Sequence, residues 1–262
     1  MHFGIIGKGA IGRYVHSELL QRGHTVGAVL QRSERPPENG EGGSGIRHVT
    51  RVEDLPNDIE HVIDCAGHAA LRAHGPAILR LGMDLTTVSI GALADDDLYR
   101  SLEEAARDGN TRLHLVSGAI GALDCLRSAR IGHLDRVTYT GRKPPRSWKG
   151  SPAESRIDLD NLGGAAVHFE GPARIAAREY PQNANVAAAV ALSGVGFDET
   201  MVKLIADPNI EENIHEVEAI GEFGRMSFEI RGRSLPDNPR SSALAAMSVI
   251  ATIEQQAQKF VF

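Results

Sequence analysis

A glycine-rich segment at residues 4–13, GIIGKGAIGR, constrains the fold of this chain more than any other feature. It joins a short apolar run, HFGIIG (2–7), to AIGRYVHSELLQR (10–22), whose apolar residues recur at helical spacing. The next apolar run, TVGAVL (25–30), predicts a second strand, parallel to the first. The start of the chain therefore predicts a strand–turn–helix–strand unit of a parallel sheet.

The glycines of this turn have the spacing G-x-G-x-x-G, which is typical of dinucleotide binding when it lies between a strand and a helix. The first glycine allows the tight turn, the second lets the backbone approach a pyrophosphate, and the third lets the helix pack against the strand. Backbone N–H groups at the helix start would face the anion. We therefore predict that a dinucleotide contacts Gly7, Gly9, Ala10, Ile11 and Gly12. The alternative is a strand–helix turn that binds no ligand.

The end of the second strand bears on which dinucleotide is bound. A site that prefers NAD usually has Asp or Glu there, because a carboxylate binds the ribose hydroxyls. This chain has Gln31, Arg32 and Ser33 instead. We predict that Arg32 and Ser33 hold a 2′-phosphate, so that NADP is accepted at least as well as NAD. The alternative is that Arg32 is only a solvated surface residue.

Strand and helix patterns continue to alternate up to about residue 118, which predicts an α/β fold with a Rossmann-type doubly wound parallel sheet. Ala66, at the end of the buried run HVIDCAG, is a further predicted cofactor contact. The strand predictions in this part are 61–67 and 85–93, and the helix predictions are 69–81 and 94–110.

The pattern then changes to that of a second, α+β domain, which we interpret as the substrate and dimerisation domain. Its predicted strands are 133–143 and 215–233, and its predicted helices are 164–178 and 183–193. A last helix, 237–256, is predicted to begin at a cap of Asp237 or Asn238 with Pro239 in its first turn. The predicted domains are 1–118, 119–236, and a C-terminal segment, 237–262, that packs back on the first domain.

Composition excludes several functional classes. The net charge of −6 provides no overall positive field to attract nucleic acid or an anionic membrane, so small molecules are the expected partners. No apolar run reaches the roughly 20 residues that cross a bilayer. The two cysteines, Cys65 and Cys125, lie in apolar surroundings without metal-ligand spacing, and we interpret them as buried, reduced packing residues of a cytoplasmic protein. We expect no metal.

Several stretches together resemble the L-aspartate dehydrogenase family, and they follow in the same order over nearly the whole chain. They are SIGAL (89–93), SGAIGALD (117–124), GRKPP (141–145), YPQNANVAAAVALSGVGFDETMVKLIADP (180–208) and NIHEVEAIGEFG (213–224). The resemblance implies oxidation of L-aspartate with NAD(P)⁺ to iminoaspartate, which water converts to oxaloacetate and ammonia, and also the reverse amination. It further implies a role in pyridine nucleotide biosynthesis or aspartate catabolism.

The resemblance also implies roles for individual residues. His215 matches the catalytic histidine of an N-x-H motif, and Ala119 and Asn185 match residues that contact the cofactor. An imidazole titrates near neutral pH, so we hypothesise that His215 positions or deprotonates the water that attacks the imine. The alternative for His215 is a half-buried polar residue without a catalytic role.

The substrate has two carboxylates, and the sequence offers basic and amide side chains for them. We predict that Arg142 and Lys143 of GRKPP, with Asn183, bind the substrate, since guanidinium and ammonium groups pair with carboxylates. Arg146, Lys149 and Trp148 extend this basic patch. The alternatives are a solvated loop for the basic residues and helix capping for the asparagines.

Other functions stay open at this point. The chain has Asp64-Cys65-Ala66 where relatives often have Glu-Ala, and its second strand lacks an acidic end. A reductase of another amino-dicarboxylate or of a cyclic imine would share this architecture, as would a catalytically silent NADP(H)-binding sensor. Alanine-rich helices and a modest second sheet make a homodimer plausible.

Overall fold

The computed structural model describes residues 1–33, 45–181, 183–235 and 238–260, and the chain divides into two compact units. The first unit takes the described residues of Met1–Val116 and Ala246–Phe262, and the second is Ser117–Ala245. The segment from 238 to 245 therefore lies with the second unit, whereas most of the terminal helix lies with the first.

The first unit contains a six-stranded parallel sheet with the order β3-β2-β1-β4-β5-β6. Its strands are β1 (His2–Ile6), β2 (Thr25–Leu30), β3 (Arg47–Val49), β4 (His61–Asp64), β5 (Asp84–Thr87) and β6 (Leu113–Leu115). Its main helices are α1 (Ala10–Gln21), α2 (His68–Arg80) and α3 (Asp96–Gly109). This strand order is that of two mononucleotide-binding halves joined at β1 and β4, which confirms the predicted Rossmann-type fold.

Apolar runs place the strands of the first unit in its core. Phe3 and Val62 are completely buried in adjacent central strands, and α1 contributes the completely buried Val15 and Leu19. The side chain of Asp95 caps the N-terminus of α3 by accepting hydrogen bonds from two backbone N–H groups. Apolar periodicity and capping therefore hold the parallel sheet beneath the glycine turn.

The second unit is built on a five-stranded sheet with the order β11-β10-β7-β9-β8, in which only β7 and β9 are parallel. Its helices are α4 (Leu123–Ala129), α5 (Ala153–Arg156), α6 (Ala173–Glu179) and α7 (Asn185–Ser193). Its strands are β7 (Leu134–Lys143), β8 (Ala166–Pro172), β9 (Met201–Ala206), β10 (Asn213–Gly221), β11 (Gly224–Gly232), β12 (Ser234–Leu235) and β13 (Asn238–Ser242). The predicted α+β character of this domain is confirmed.

The register of β7 and β10 decides which side chains share a face of this sheet. His215 lies opposite Gly141, and Ile214 lies opposite Arg142. Because successive residues of a strand point to opposite faces, Lys143 and His215 lie on one face and Arg142 on the other. The face with His215 is the buried one.

Three predicted elements before the last helix differ from the structure. The predicted helix 164–178 is a strand, β8, followed by α6, because AVHFEGP carries β-favouring Val and Phe and ends in a proline that precedes the helix. The predicted strand 85–93 ends at Thr87, where Ser89 N donates to Thr87 Oγ1, and a 3₁₀ turn follows. The single predicted strand 215–233 is the hairpin of β10 and β11.

The last helix, α8 (Ala243–Ala257), begins later than predicted, because Asn238–Ser242 forms a strand that pairs with β12. Asp237 of the predicted cap lies outside the described residues. Within the first unit, Nε2 of His24 lies 2.9 Å from a carboxylate oxygen of Glu254 on α8. This contact joins the helix to the start of β2.

The predictions about membrane spans and about the two cysteines have different outcomes. No helix in the described part of the chain is long and apolar enough to span a bilayer. The prediction that both cysteines are buried is wrong for Cys125, which is exposed on α4, whereas Cys65 is half-buried. Apolar neighbours in the sequence of Cys125 follow the period of a helix, so its own side chain points outward.

Candidate active site

The three glycines of the turn have different steric surroundings. Gly7 has a φ of +91°, and a Cβ added there would lie 2.8 Å from the Cβ of Ala66. A Cβ added at Gly12 would lie 2.4 Å from the carbonyl oxygen of Gly7, so α1 packs directly on the turn. Gly9 is the N-cap residue of α1, and a Cβ added there would meet nothing within 4 Å. The protein's own packing requires Gly7 and Gly12, whereas Gly9 borders open space.

A groove of about 900 Å³ adjoins this turn within the first unit. Its walls are the ends of three parallel strands, the residues after β2 and one side of α2. The lining residues are Ile6, Gly7, Lys8, Gly9, Leu30, Gln31, Arg32, Ser33, Cys65, Ala66, Ala69, Ala70, Ala73 and His74. Cofactors bind at this edge of doubly wound sheets, outside the carboxyl ends of the strands.

The groove fits the dinucleotide that the glycine spacing predicts. The first turn of α1, with Ala10, Ile11 and Gly12, presents helix N–H groups beside the open space at Gly9. A pyrophosphate placed there would meet backbone donors with no side chain in the way. Of the predicted contacts, those that line the groove are Gly7, Gly9, Arg32, Ser33 and Ala66.

The opposite wall of the groove was not predicted. It is formed by Ala69, Ala70, Ala73 and His74, which lie on one side of α2. This wall could have been predicted from the small residues that recur at helical spacing directly after a βα turn, because such residues leave room for a flat ligand beside the helix.

Asp64, at the end of β4, holds the second turn of the groove in place. Its buried carboxylate accepts hydrogen bonds from the Ala66 backbone N–H at 2.9 Å, from Thr87 Oγ1 at 2.7 Å and from Ser89 Oγ at 2.6 Å. Burial raises the pKa of Asp64, whereas these hydrogen bonds lower it in part. The carboxylate therefore fixes Ala66 against Gly7 and joins β4 to the end of β5.

Arg32 and Ser33 follow β2 and are both exposed beside the groove. Thus the residues that follow this strand, Gln31 to Ser33, place a guanidinium and a hydroxyl where an NAD-preferring site has a carboxylate. Residues 34–44, which are rich in proline and glycine, lie outside the described residues.

In the second unit, His215 is held on β10 by Tyr139 of β7. His215 is 3% exposed, and its Nδ1 lies 2.7 Å from the Tyr139 hydroxyl oxygen. Burial, and secondarily the charge of Lys143, lowers the pKa of His215 to about 3, so the imidazole is neutral at physiological pH.

The hydrogen bond also determines the tautomer of His215. Burial raises the pKa of Tyr139, so its hydroxyl keeps its proton. Within the described chain, Nδ1 is the only hydrogen-bond partner of this buried hydroxyl, and a buried donor without an acceptor is costly. Tyr139 therefore donates to Nδ1, which leaves the ring proton of His215 on Nε2.

Lys143 lies on the same face, diagonally across the register from His215, and is 8% exposed. Its Nζ donates a hydrogen bond to Asn183 Oδ1 at 2.9 Å and lies 5.2 Å from the ring centre of Trp148. Burial lowers the pKa of Lys143 to about 8. Lys143 is thus the basic residue that the structure brings to the predicted catalytic histidine.

A cavity of about 200 Å³ lies at the end of this lysine. Its lining residues are Lys143, Ser147, Lys149, Gly150, Ser151, Pro152, Glu179, Tyr180, Pro181, Asn183 and Asn213. Asn213 was not predicted, although N-x-H is itself a period-two spacing and places Asn213 on the same face of β10 as His215. The cavity therefore combines one buried amine with two amide side chains, a donor set that suits carboxylates.

Arg142 is not brought to this cavity. Its side chain lies on the opposite face of the sheet, where Nη1 is 2.9 Å from a carboxylate oxygen of Asp207. A backbone hydrogen bond from Asn209, and then the guanidinium of Arg142, lower the pKa of Asp207. The predicted clamp of Arg142 and Lys143 is therefore divided between two faces, because adjacent residues of one strand point in opposite directions.

The rest of the predicted basic patch is also arranged differently. Trp148 is completely buried and donates its Nε1–H to the Ile205 carbonyl at 3.1 Å. Lys149 pairs with Asp160, and Arg146 reaches the carbonyl of Glu211. A buried indole offers no stacking surface, so this segment lacks the exposed aromatic of a nucleic-acid site.

Two residues remain from the resemblance. Ala119 is 5% exposed and follows Gly118, which has a φ of +70°. Asn185 is the first residue of α7, whose N-cap is Ala184, with no side-chain hydrogen bond at the cap. The capping alternative for Asn183 and Asn185 is therefore not what the structure shows.

The sequence matches two family models that together cover most of the chain. "Aspartate dehydrogenase, C-terminal" matches residues 124–256, and "Homoserine dehydrogenase, NAD binding domain" matches residues 7–116. The first match covers the Lys143–His215 face, and the second covers the glycine turn and the groove.

Comparison with individual proteins agrees with these models. The chain is 48% identical to an L-aspartate dehydrogenase of Ruegeria pomeroyi, over 98% of this chain and 92% of the relative. It is 45% identical to an L-aspartate dehydrogenase of Cupriavidus necator, over 98% of both chains. The crystal structure of aspartate dehydrogenase from Thermotoga maritima superposes with a TM-score of 0.78 at 27% identity, covering 100% of this chain and 99% of that one. The chain belongs to the L-aspartate dehydrogenase family.

Proposed function

We propose that this chain catalyses the oxidation of L-aspartate to iminoaspartate, which water converts to oxaloacetate and ammonia, and the reverse amination. Family membership over nearly the full length supports an NAD(P)-dependent amino acid dehydrogenase. The observation that carries the proposal within the second unit is the cavity at the end of Lys143, in which Lys143, Asn183 and Asn213 present donors for carboxylates. His215 does not line this cavity but lies on the same face of the sheet as Lys143. When bound, the dinucleotide supplies the acceptor for the hydride that leaves the substrate.

In the first unit, we propose that Gly7, Gly9, Ala10, Ile11 and Gly12 hold the pyrophosphate. Ala66 lines the same groove and is held there by Asp64. Arg32 and Ser33 bind the adenosine ribose side, which supports NADP as a cofactor used at least as well as NAD. The resemblance assigns Ala119 and Asn185 of the second unit to cofactor contacts as well.

In the second unit, we propose His215 as the catalytic residue. Its Nε2–H, fixed by the hydrogen bond from Tyr139, donates to the oxygen of the attacking water or to the substrate. A neutral imidazole held in one tautomer positions its partner without losing a proton. Asn183 and Lys143 bind the carboxylates of L-aspartate.

The proposal is tested by the absorbance of the reduced nicotinamide. We expect it to appear with L-aspartate and either cofactor, and to disappear when oxaloacetate and ammonia are supplied with the reduced cofactor. A panel of other amino acids and cyclic imines is assayed in parallel. Turnover of another substrate but not of aspartate would favour a different reductase, and tight NADPH binding without any turnover would favour a sensor.

We also propose a cytoplasmic homodimer. The alanine-rich helix α7 is buried within its own unit and offers no surface for association. The face of the second sheet opposite His215 carries the exposed apolar side chains of Val167 (46%) and Met201 (38%). Light scattering of Met201→Glu beside the unmodified protein tests this surface, since a charge buried in an interface would shift the mass towards the monomer.

A further inference from the structure

Among the described residues, Lys143 lacks the carboxylate partner that a permanently charged buried lysine usually has, although the ring of Trp148 lies 5.2 Å from its Nζ and attracts the charged form. It is 8% exposed, and within the described part of the chain no carboxylate lies within ion-pair distance of its Nζ. An ammonium group has three N–H donors, and the acceptor that the structure provides is Asn183 Oδ1. A neutral amine needs fewer acceptors and has a free electron pair, so the surroundings of Lys143 suit the neutral form better than the charged one.

The surrounding charges do not replace such a partner. Lys149 and Glu179 line the same cavity, and each pairs with a residue outside it, Asp160 and Arg156 respectively. The titratable side chains nearest to Lys143 on the buried face are His168, Tyr180 and His215. Burial lowers the pKa of both histidines, to about 4 and about 3, so both are neutral.

His215 is poorly suited to accept a proton in this state. Its Nδ1 accepts the hydrogen bond from Tyr139, and its Nε2 already carries the ring proton. The reaction nevertheless requires a base, because the α-ammonium group of L-aspartate has no electron pair with which to form a carbon–nitrogen double bond.

We propose that Lys143 is the proton acceptor of the reaction and that His215 acts as a hydrogen-bond donor beside it. The neutral Nζ of Lys143 takes one proton from the substrate ammonium, so an N–H bond of the substrate breaks and an N–H bond of Lys143 forms. The freed electron pair forms the C=N bond while the Cα–H bond breaks and its hydrogen leaves with both electrons, as a hydride for which a bound nicotinamide would be the acceptor. The new Lys143 ammonium then lies beside the substrate carboxylates, which stabilise its charge.

This inference rests on the proposed function and specifies the role of Lys143 within it. Lys143→Arg tests that role, because a residue that only binds carboxylates and a residue that accepts a proton respond differently to this substitution. Arginine keeps the positive charge but does not lose its proton. We expect Lys143→Arg to lower kcat by about 10²-fold or more, the range for loss of a general base, while KM for aspartate changes only a few-fold. A kcat within about threefold of the unmodified enzyme would overturn the proposal.

The matched control is Lys203→Arg. Lys203 lies on β9 of the same sheet, on the opposite face, where it pairs with Glu170. We expect this variant to keep both kcat and KM. Circular dichroism and NADPH fluorescence verify that each variant folds and binds cofactor.

Lys143→Ala gives a second test, which does not depend on fitting a larger side chain. Ethylamine and the less basic 2-fluoroethylamine and 2,2,2-trifluoroethylamine, added at equal concentrations of free amine, are expected to restore part of the lost rate, more so for the more basic amine. A folded Lys143→Ala protein that no amine of the series rescues would contradict the assignment.

A third measurement needs no turnover. The extent of acetylation of each lysine by limiting acetic anhydride, followed by peptide mass spectrometry over a pH series, reports its ionisation in the free protein. We expect Lys143 to become reactive near pH 8 and Lys149, whose pKa the Asp160 hydrogen bond raises, to become reactive at higher pH. Reactivity of Lys143 only above pH 10 would overturn the proposal. Failure of the unmodified enzyme to oxidise aspartate would instead overturn the proposed function and leave this result unchanged.

Discussion

The two candidate sites of this molecule are built from different materials. Where the groove of the first unit meets the glycine turn, it is bordered by Gly7 and Gly9 and by the small side chain of Ala66 in the next turn. The cavity face of the second unit depends on functional groups, with Tyr139 and Lys143 on one strand, Asn183 before α7 and His215 on another strand.

This contrast predicts opposite sensitivities. A backbone site fails when a single methyl group is added, because that group occupies space needed by the protein or by the ligand. A side-chain site fails when a single polar atom is removed or changed, because its neighbours remain correctly packed but lose their chemistry. Substitutions of both kinds therefore test whether the two units divide the work as proposed.

The largest expected effect is at the second unit. His215→Ala is expected to lower kcat/KM for aspartate by about 10²- to 10⁴-fold, the range for removal of a positioned proton-transfer or donor group. NADPH binding, measured by fluorescence, is expected to stay within a few-fold, since the groove lies in the first unit. His133→Ala serves as the control, because the ring of that histidine is exposed and pairs with Asp135 on the surface. A loss of only a few-fold in a folded His215→Ala protein would contradict the catalytic role.

The next effect separates two glycines of the same turn. Gly12→Ala places a Cβ 2.4 Å from a backbone oxygen and is expected to lower the free energy of unfolding by about 3 kcal/mol, as overpacking does. Gly9→Ala meets no neighbouring atom, so we expect a loss below about 1 kcal/mol from its N-cap position. Gly9→Ala should instead weaken NADPH binding by about tenfold or more, which corresponds to about 1.4 kcal/mol.

Urea unfolding and NADPH titration of both variants check this pair. If Gly9→Ala bound NADPH as tightly as the unmodified protein, the pyrophosphate would not lie at the open N-terminus of α1. If both variants lost the same free energy of unfolding, the close contact between a Cβ at position 12 and the carbonyl oxygen of Gly7 would not be the cause of the loss.

Acid is expected to affect the two units unequally. Burial lowers the pKa of His61 in the first unit to about 4, and the pKa values of His168 and His215 in the second to about 4 and about 3, all from 6.5. The unfolded chain therefore binds more protons than the folded one below pH 6.5, and stability falls as pH falls from 6.5 towards 4 and, for His215, towards 3. Each histidine contributes at most about 1.4 kcal/mol per pH unit.

Of these three histidines, two lie in the second unit and one in the first. In the first unit the raised pKa of Asp64 has the opposite effect on stability. The folded form binds the proton of Asp64 more tightly than the unfolded chain does, so protonation of this group at low pH favours the folded state. Hydrogen exchange of each unit at pH 7 and pH 5 measures the difference. Equal loss of protection in both units would contradict it, and His168→Asn is expected to reduce the loss in the second.

The same contrast explains which features the sequence could predict. Gly7, Gly9, Arg32 and Ala66 line one groove because a contiguous turn and the ends of neighbouring parallel strands follow local rules. The residues of the second site come from distant elements, and only the family resemblance identified His215.

Strand geometry accounts for the errors in the second unit. Arg142 and Lys143 are both basic, so the sequence does not distinguish them. As neighbours on β7, however, they point to opposite faces of the sheet. The role of Tyr139 could not be predicted from the sequence, because it depends on the pairing of β7 with β10, which places Tyr139 beside His215. β8 was predicted as part of a helix, because the helical pattern of the alanine-rich segment that follows it was extended back over the strand.

The smallest expected effect concerns cofactor choice in the first unit. Arg32→Ala is expected to lower kcat/KM for NADP by about tenfold, since a guanidinium paired with a phosphate forms a strong, charge-assisted contact. The value for NAD is expected to change less than twofold, because NAD lacks the 2′-phosphate. Arg107→Ala, an exposed arginine near the end of α3, is the control for the general loss of one positive charge. Kinetics with both cofactors at two salt concentrations measure the effect, which salt should weaken. If Arg32→Ala and Arg107→Ala changed NADP kinetics equally, Arg32 would be a solvated residue that takes no part in holding the 2′-phosphate.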